Sequence, residues 1–340
     1  MPKDPIEDYI TKEQWNSIGW KNHHGIALAV SSMRSKKSCG IGEYLDLIYL
    51  VDFCKSIGFD TIQLLPINDT GPEPSPYSAQ SVFALHPSYL SLWALPFLNE
   101  DDELQKSLES IRFCNSSYRV QYQTVLKNKD TFLRRYYERH FEKIEMSPEF
   151  SEFLKKSSWV KGYAIYKVLK DKNEGKPWYD WSEYLQNPTN TTMASILSEF
   201  FHEANFYIMV QFLAFEQLSE VKRYAEKQGV FLKGDIPILV NRDSADVWEN
   251  RSLFSLQYAA GAPPDMYSED GQYCGFPLYQ WDEHKKTNFA WWRSRLRVAE
   301  QLFHIYRIDH FVGFFRIWAI PLEHKAKDGF YLPKDSKEWI

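Results

Sequence analysis

The chain has 340 residues, of which 44% are hydrophobic and 25% charged, and a formal net charge of −5. That balance is globular, with length for one large domain or two ordinary ones. The acidic balance and the lack of a Lys/Arg cluster leave no footprint for nucleic acid. No run approaches the ~20 apolar residues that span a bilayer, so no membrane partner is expected. Four scattered cysteines (Cys39, Cys54, Cys114 and Cys274) form no C-x-x-C pair, and they indicate neither a zinc site nor a disulfide framework. Residues 1–8 hold no apolar stretch of the signal-peptide kind, and a cytoplasmic, reduced protein is the expectation. Aromatic content is high at 16%, with 12 Trp and 21 Tyr. Aromatic faces stack on sugar rings, but they also fill cores, so the count permits carbohydrate binding without showing it.

The apolar run from Gly25 to Val30 predicts a strand buried on both faces. A helical pattern follows on Leu45, Ile48, Tyr49, Asp52 and Phe53, with Gly58 as its stop. Thr61 to Pro66 then reads as a second buried strand. Strand, helix, strand without a hairpin signal is a βαβ unit, for which parallel pairing is expected. Residues 68–87, rich in Pro, Ser and Asn, form a long loop, and long loops in compact domains are usually functional or disordered. From about residue 101 to 228 the pattern is mostly helical. Phe132, Tyr136 and Phe141 share one helix, and Ile196, Leu197, Phe200 and Phe201 share another.

Val230 to Ile238 gives a third strand, residues 241–285 a second long excursion, and Asn288 to Gln301 a helix leading into a fourth strand. The expected organisation is β/α units over residues 1–100, a helical insertion over 101–228, and the continuation of the β/α units over 229–340. Long loops after each strand suit a (β/α) barrel, whose sites form at the carboxyl ends of the strands. A doubly wound open sheet competes, but no glycine-rich phosphate fingerprint follows any of these strands.

The fourth strand ends in Arg307-Ile308-Asp309-His310-Phe311. Alternation puts Arg307 and Asp309 on one face and Ile308 on the other. A charged pair at the end of an apolar strand is costly to bury unless each partner is satisfied. It reads either as a structural salt bridge or as a carboxylate kept ionised for nucleophilic work.

Further segments fall after the other strands: Ser75-Pro76-Tyr77-Ser78, Gly234-Asp235-Ile236-Pro237, Asp243-Ser244-Ala245-Asp246-Val247-Trp248, Gly261-Ala262-Pro263-Pro264-Asp265, Gly271-Gln272 and Pro277-Leu278-Tyr279. In this order, across residues 25–321, the chain resembles the 4-α-glucanotransferases of the amylomaltase family, retaining enzymes of the broad α-amylase-like group. The resemblance implies an α/β fold, a (β/α)8 TIM-type barrel with helical and loop insertions. It also implies transfer of a 1,4-α-glucan segment to a new acceptor, with no cofactor and a maltodextrin or related α-glucan as the partner.

Retention requires two displacements, with one carboxylate as nucleophile and a second carboxyl group ~5–5.5 Å away as acid and base. The resemblance makes Asp309 the nucleophile, with Arg307 its electrostatic support and Asp235 and His310 holding sugar hydroxyls. It places Tyr77, with Ser75 in the same segment, against the donor-side glucose, and Asp265 and Gln272 beside the glucan near the cleavage point. Read alone, Asp235 also suits a turn or cap, and Asp265 an ordinary turn. Asp243 and Asp246 are too few for a calcium loop, and capping of the turn that carries Trp248 is expected instead, with no metal.

The sequence departs from the family pattern at three places. Cys274 stands where an aromatic usually stacks on the acceptor, and Leu85-His86-Pro87 replaces a Gly-Asn-Pro. The acid/base glutamate is expected on the strand after the nucleophile. Beyond Asp309 the only glutamates are Glu323 and Glu338, and neither lies in such a motif. The expectation is therefore about the first half of a barrel, with two open sheet edges and no proton donor in this chain.

Overall fold

A computed structural model describes residues 9–333. Residues 1–8 and Glu338, on which two sequence readings fall, lie outside the described residues. A short helix α1 (Lys12–Ile18) precedes strand β1 (Gly25–Leu28), helix α2 (Asp46–Ser56) and strand β2 (Thr61–Leu64). The helical region then runs through α3 (Asp102–Ile111), α4 (Tyr122–Glu145), α5 (Pro148–Lys156), α6 (Val160–Lys172), α7 (Glu183–Gln186), α8 (Asn190–Glu199) and α9 (Phe201–Gln228). Strand β3 (Phe231–Ile236) and the short α10 (Ala245–Glu249) lead to β4 (Phe254–Ser255), β5 (Tyr258–Ala262), β6 (Gln272–Tyr273) and β7 (Leu278–Tyr279). Helices α11 (Trp281–Lys286) and α12 (Ala290–Leu302) precede β8 (Ile305–Ile308), β9 (Ile317–Pro321) and β10 (Phe330–Leu332).

The central sheet is parallel, in the order β1-β2-β3-β8. These are four of the eight strands that a closed barrel requires. Ile62, Leu64 and Leu232 point to one face and are fully buried, beneath helices α2 and α9, with α12 beside α9. The opposite face carries Gln63 and Lys233 side by side, and then Asp235 beside Arg307. It is half-buried and polar. Alternation along each strand thus sorts an apolar face from a chemical one.

Four expectations need correction. The first strand is not buried on both faces, because β1 is an edge strand whose residues alternate between exposed and half-buried. On α2 the buried face is Leu47, Val51 and Cys54, whereas Tyr49 and Phe53 are each 53% exposed. Both sets have helical spacing, and only the position of the sheet decides between them. The pattern assigned to one helix over Ile196–Phe201 is broken, since α8 ends at Glu199 and α9 begins at Phe201. The excursion over 241–285 is not wholly loop. Its β5 pairs antiparallel with β6 and with β9, which in turn pairs with β10.

Candidate active site

Asp235 and Arg307 are register partners on β3 and β8, so their side chains leave the sheet on the same face at neighbouring positions. The Arg307 Nη1 donates to both carboxylate oxygens of Asp235 at 2.9 Å. Its Nη2 donates to Oδ1 of Asp309. One guanidinium therefore bridges two carboxylates, a fork geometry that lysine cannot reproduce. The backbone N–H of Asp309 donates to the carbonyl of Ile236 at 3.1 Å, which continues the β3–β8 pairing one residue past the strand.

The two carboxylates differ in access. The Asp235 side chain is fully covered, whereas those of Arg307 and Asp309 are 42% and 41% exposed. Burial pushes the Asp235 carboxyl above its ordinary range; Arg307 opposes the shift and the Asp309 charge adds to it. Asp309 has one oxygen on Arg307, and the other makes no hydrogen bond among the described residues. An oriented and open carboxylate oxygen is what a nucleophile needs. In this arrangement the Asp235 side chain is covered, with both oxygens on Arg307.

His310 follows in a left-handed conformation, φ 50° and ψ 45°. Its ring lies over Gly313, where an added Cβ would meet His310 Cδ2 at 2.6 Å. Only glycine seats the ring there, so the turn that aims His310 and the spacing to Gly313 belong together. Sequence reasoning missed Arg295, which is 4% exposed on α12. Its Nη2 donates to the carbonyl of Pro237 at 2.5 Å, and Tyr279, packed on Trp291 and Trp292, donates to the carbonyl of Ile238 at 2.5 Å. These contacts fix the chain directly after Asp235. An arginine within an aromatic helix carries no signal of that kind in the sequence.

Ser75 and Tyr77 lie in the loop over 68–87, with Tyr77 41% exposed. The base of this loop adjoins the carboxylates: Asn68, Val82 and Leu85 line one small cavity together with Asp235. Asp265 accepts from the backbone N–H groups of Tyr267 and Ser268, both at 2.8 Å, which is turn chemistry within its own segment. Gln272 pairs with Ala262 at the tip of the β5–β6 hairpin, and Gln272, Tyr273 and Cys274 are exposed. No contact among the described residues joins Asp265 or Gln272 to the Arg307 bridge. Glu323, in a turn after β9 with φ 67°, makes no contact with it either.

The expected capping role of Asp243 and Asp246 is corrected. Ser244 caps α10, accepting from the Val247 N–H at 3.2 Å. Asp243 instead accepts from Tyr166 at 2.8 Å and Lys170 at 2.7 Å. Asp246, buried and titrating near 6 because burial outweighs its hydrogen bonds, accepts from the Val82 N–H at 2.9 Å. Asp243 ties the chain before α10 to helix α6, and Asp246 ties α10 to the loop at Val82. No group of His, Cys, Asp or Glu suited to a metal ion occurs among the described residues.

A parallel β/α sheet whose charged side chains gather at the carboxyl ends of its strands has the layout of a β/α enzyme fold. The family model described as 4-alpha-glucanotransferase matches residues 28–340, and the chain belongs to that family. It is 40% identical over 328 residues to a 4-alpha-glucanotransferase of Chlamydia pneumoniae, covering 96% of this chain and 61% of the relative. It is 38% identical to the Chlamydia caviae protein of that name, covering 98% of this chain and 63% of the relative. The chain thus spans somewhat under two thirds of these relatives. Among solved structures, the amylomaltase from Streptococcus agalactiae in complex with acarbose superposes with a TM-score of 0.84 at 26% identity, over 92% of this chain and 64% of that one. The fold is that of an amylomaltase.

Proposed function

We propose that this chain carries the glucan-binding and nucleophilic part of a 4-α-glucanotransferase, which moves a 1,4-α-glucan segment to the 4-position of glucose or another glucan. Asp309 attacks the anomeric carbon as the glycosidic C1–O bond breaks, the leaving glucan oxygen taking a proton from the acid, and forms a covalent glycosyl-enzyme; the acceptor 4-hydroxyl, giving its proton back to that group, then displaces the Asp309 ester with net retention. Arg307 orients Asp309 through its Nη2 hydrogen bond. Asp235 and His310 position sugar hydroxyls at the donor side, where Tyr77 stacks and Ser75 shapes the loop. Asp265 and Gln272, on exposed segments, bind the glucan near the cleavage point. A proton donor ~5–5.5 Å from Asp309 completes the reaction, and none of the residues gathered at the Arg307 bridge fills that role. No cofactor enters this chemistry. Among the described residues no helix is long and apolar enough to cross a membrane, and a cytoplasmic location belongs to the same proposal.

The observation that carries this reading is the open oxygen of Asp309 beside a carboxylate-anchored arginine. Incubation with maltotriose tests it. Glucose together with longer maltodextrins supports transfer, shortening without any longer product marks a hydrolase, and binding without turnover marks a glucan-binding protein. In an enzyme that also supplies the proton donor, Asp309→Asn is expected to abolish transfer and leave glucan binding measurable.

A further inference from the structure

The loop over 68–87 is closed at its ends. The His86 N–H donates to the carbonyl of Ile67 at 3.0 Å, and Asn68 and Leu85 form a bridge. Its 71–73 part is held from outside by helix α4. His86 is 2% exposed, and its Nδ1 accepts from the backbone N–H of Ser88 at 3.2 Å and lies 3.0 Å from the Ser88 hydroxyl. A backbone N–H can only donate, so Nδ1 carries no proton and the neutral imidazole has its proton on Nε2. Nε2 is 2.7 Å from the Tyr122 hydroxyl, which it therefore supplies with a hydrogen bond. The phenol proton is then free to donate to the carbonyl of Glu73 at 3.0 Å, which also accepts from the Thr70 hydroxyl at 2.6 Å, so that Tyr122 and Thr70 together hold Glu73. Gln123, next on the helix, donates to the carbonyl of Pro72 at 3.0 Å.

Beyond these contacts the segment 74–78 keeps only two hydrogen bonds among the described residues. The Ser78 N–H reaches the carbonyl of Ser75 at 3.3 Å, and Asn241 reaches the carbonyl of Ser78 at 3.4 Å. We propose that His86 and Tyr122 form a latch that positions the Ser75–Tyr77 segment, the relayed proton order setting the direction of every bond from Ser88 to Glu73. Both are positioning residues, since neither touches the carboxylates. The link to glucan affinity rests on the reading of Tyr77 as a substrate contact; the latch itself does not.

The burial of the imidazole agrees with this assignment. Its pKa is lowered to about 4, by burial first and by the charges of Lys167 and Lys129, against the opposing charge of Asp69. The neutral ring is thus the form that holds the latch near neutrality.

Three variants separate the parts. Tyr122→Phe deletes the relay hydroxyl. His86→Asn keeps an acceptor near Nδ1 but no donor that reaches Tyr122, and His86→Gln places an amide donor near Nε2. Hydrogen exchange at the Gly71, Glu73 and Ser78 amides is read alongside maltoheptaose affinity, with the Leu232 amide in the sheet as the control for folding. Tyr122→Phe and His86→Asn are expected to speed loop exchange by about tenfold and weaken maltoheptaose binding about three- to tenfold, the size of one net hydrogen bond. His86→Gln is expected to stay within about twofold of the original chain in both. Unchanged loop exchange in Tyr122→Phe, or equal loss in all three variants, would overturn the latch. If the unsubstituted chain binds no maltoheptaose, the substrate reading of Tyr77 fails, and the exchange data still decide the latch.

Discussion

The loop over 68–87 and the arm over 263–276 both follow strands of this fold, and they are built in opposite ways. The first is tied down by buried polar groups. Asp69, 1% exposed, accepts from Tyr163 at 2.7 Å and from the Gly71 N–H at 2.9 Å, and pairs with Lys167 at 3.0 Å; Asp246 holds Val82. The arm has turn hydrogen bonds and exposed side chains, with Met266 and Tyr267 at 86% and 87%. A fully satisfied buried network gives a single geometry, whereas an exposed turn leaves many. The contrast is a preformed base beneath the Ser75–Tyr77 tip, which itself keeps few hydrogen bonds, against an adaptable arm that carries Asp265 and Gln272; on the proposed function these are the two walls of the glucan site.

The strongest way to break this contrast is at the foot of the preformed wall. Lys129 is buried; its ammonium donates to Glu43 at 2.6 Å and to the carbonyls of Ser88 and Leu90 at 2.6 and 2.7 Å. Glu43 is fully buried, and burial lifts its carboxyl to about 7 despite Lys129. Lys129→Met removes one partner of a buried pair and is expected to cost about 3–5 kcal/mol in chemical denaturation. A loss under ~1 kcal/mol would show the wall to be as loosely held as the arm.

Acid titration probes the same wall. His86 titrates near 4 when folded against about 6.5 when unfolded. Between these values the unfolded chain takes the proton and the folded chain does not, so stability falls as pH falls from 6.5 to 4, by on the order of 3 kcal/mol. His86→Gln should remove the His86 share of that slope in pH-dependent unfolding, leaving the share of His304, which burial also lowers to about 4. Asp69 adds a separate, more acidic segment. Burial raises its carboxyl, but Lys167, His86, Tyr163 and the Gly71 N–H bring it down to about 2. Its contribution is present above about 3.9 and is lost as pH falls through 2, and Asp69→Asn should remove it.

The smallest effect belongs to the arm. Asp265→Ala should cost about 0.5–1 kcal/mol, and Gln272→Ala should leave the melting curve in place. Both are expected to weaken glucan binding measurably by calorimetry. A stability loss matching that of Lys129→Met would erase the distinction between the walls.

Much of the fold was legible in the residues. Alternation placed Arg307 and Asp309 on one face, and the four parallel strands follow from β/α spacing. Less could be read where tertiary register decides. The pairing of Asp235 with Arg307 depends on how β3 and β8 align, which no local pattern encodes. Helix α2 has two apolar stripes of correct period, and the sheet chooses Leu47, Val51 and Cys54. Strands β5 and β9 meet across more than fifty residues of sequence, too far for a turn signal. His86 carries a relay that only the approach of Tyr122 creates.

The central claim is that Asp309 is the glycosyl-accepting carboxylate. An α-maltosyl fluoride tests it most directly, because fluoride departs without a proton donor and so isolates the first displacement. Mass spectrometry of the proteolysed chain should find one maltosyl unit on the peptide that contains Asp309, and none after Asp309→Asn. A maltosyl ester on another carboxylate, or fluoride release undiminished by Asp309→Asn, would contradict the account.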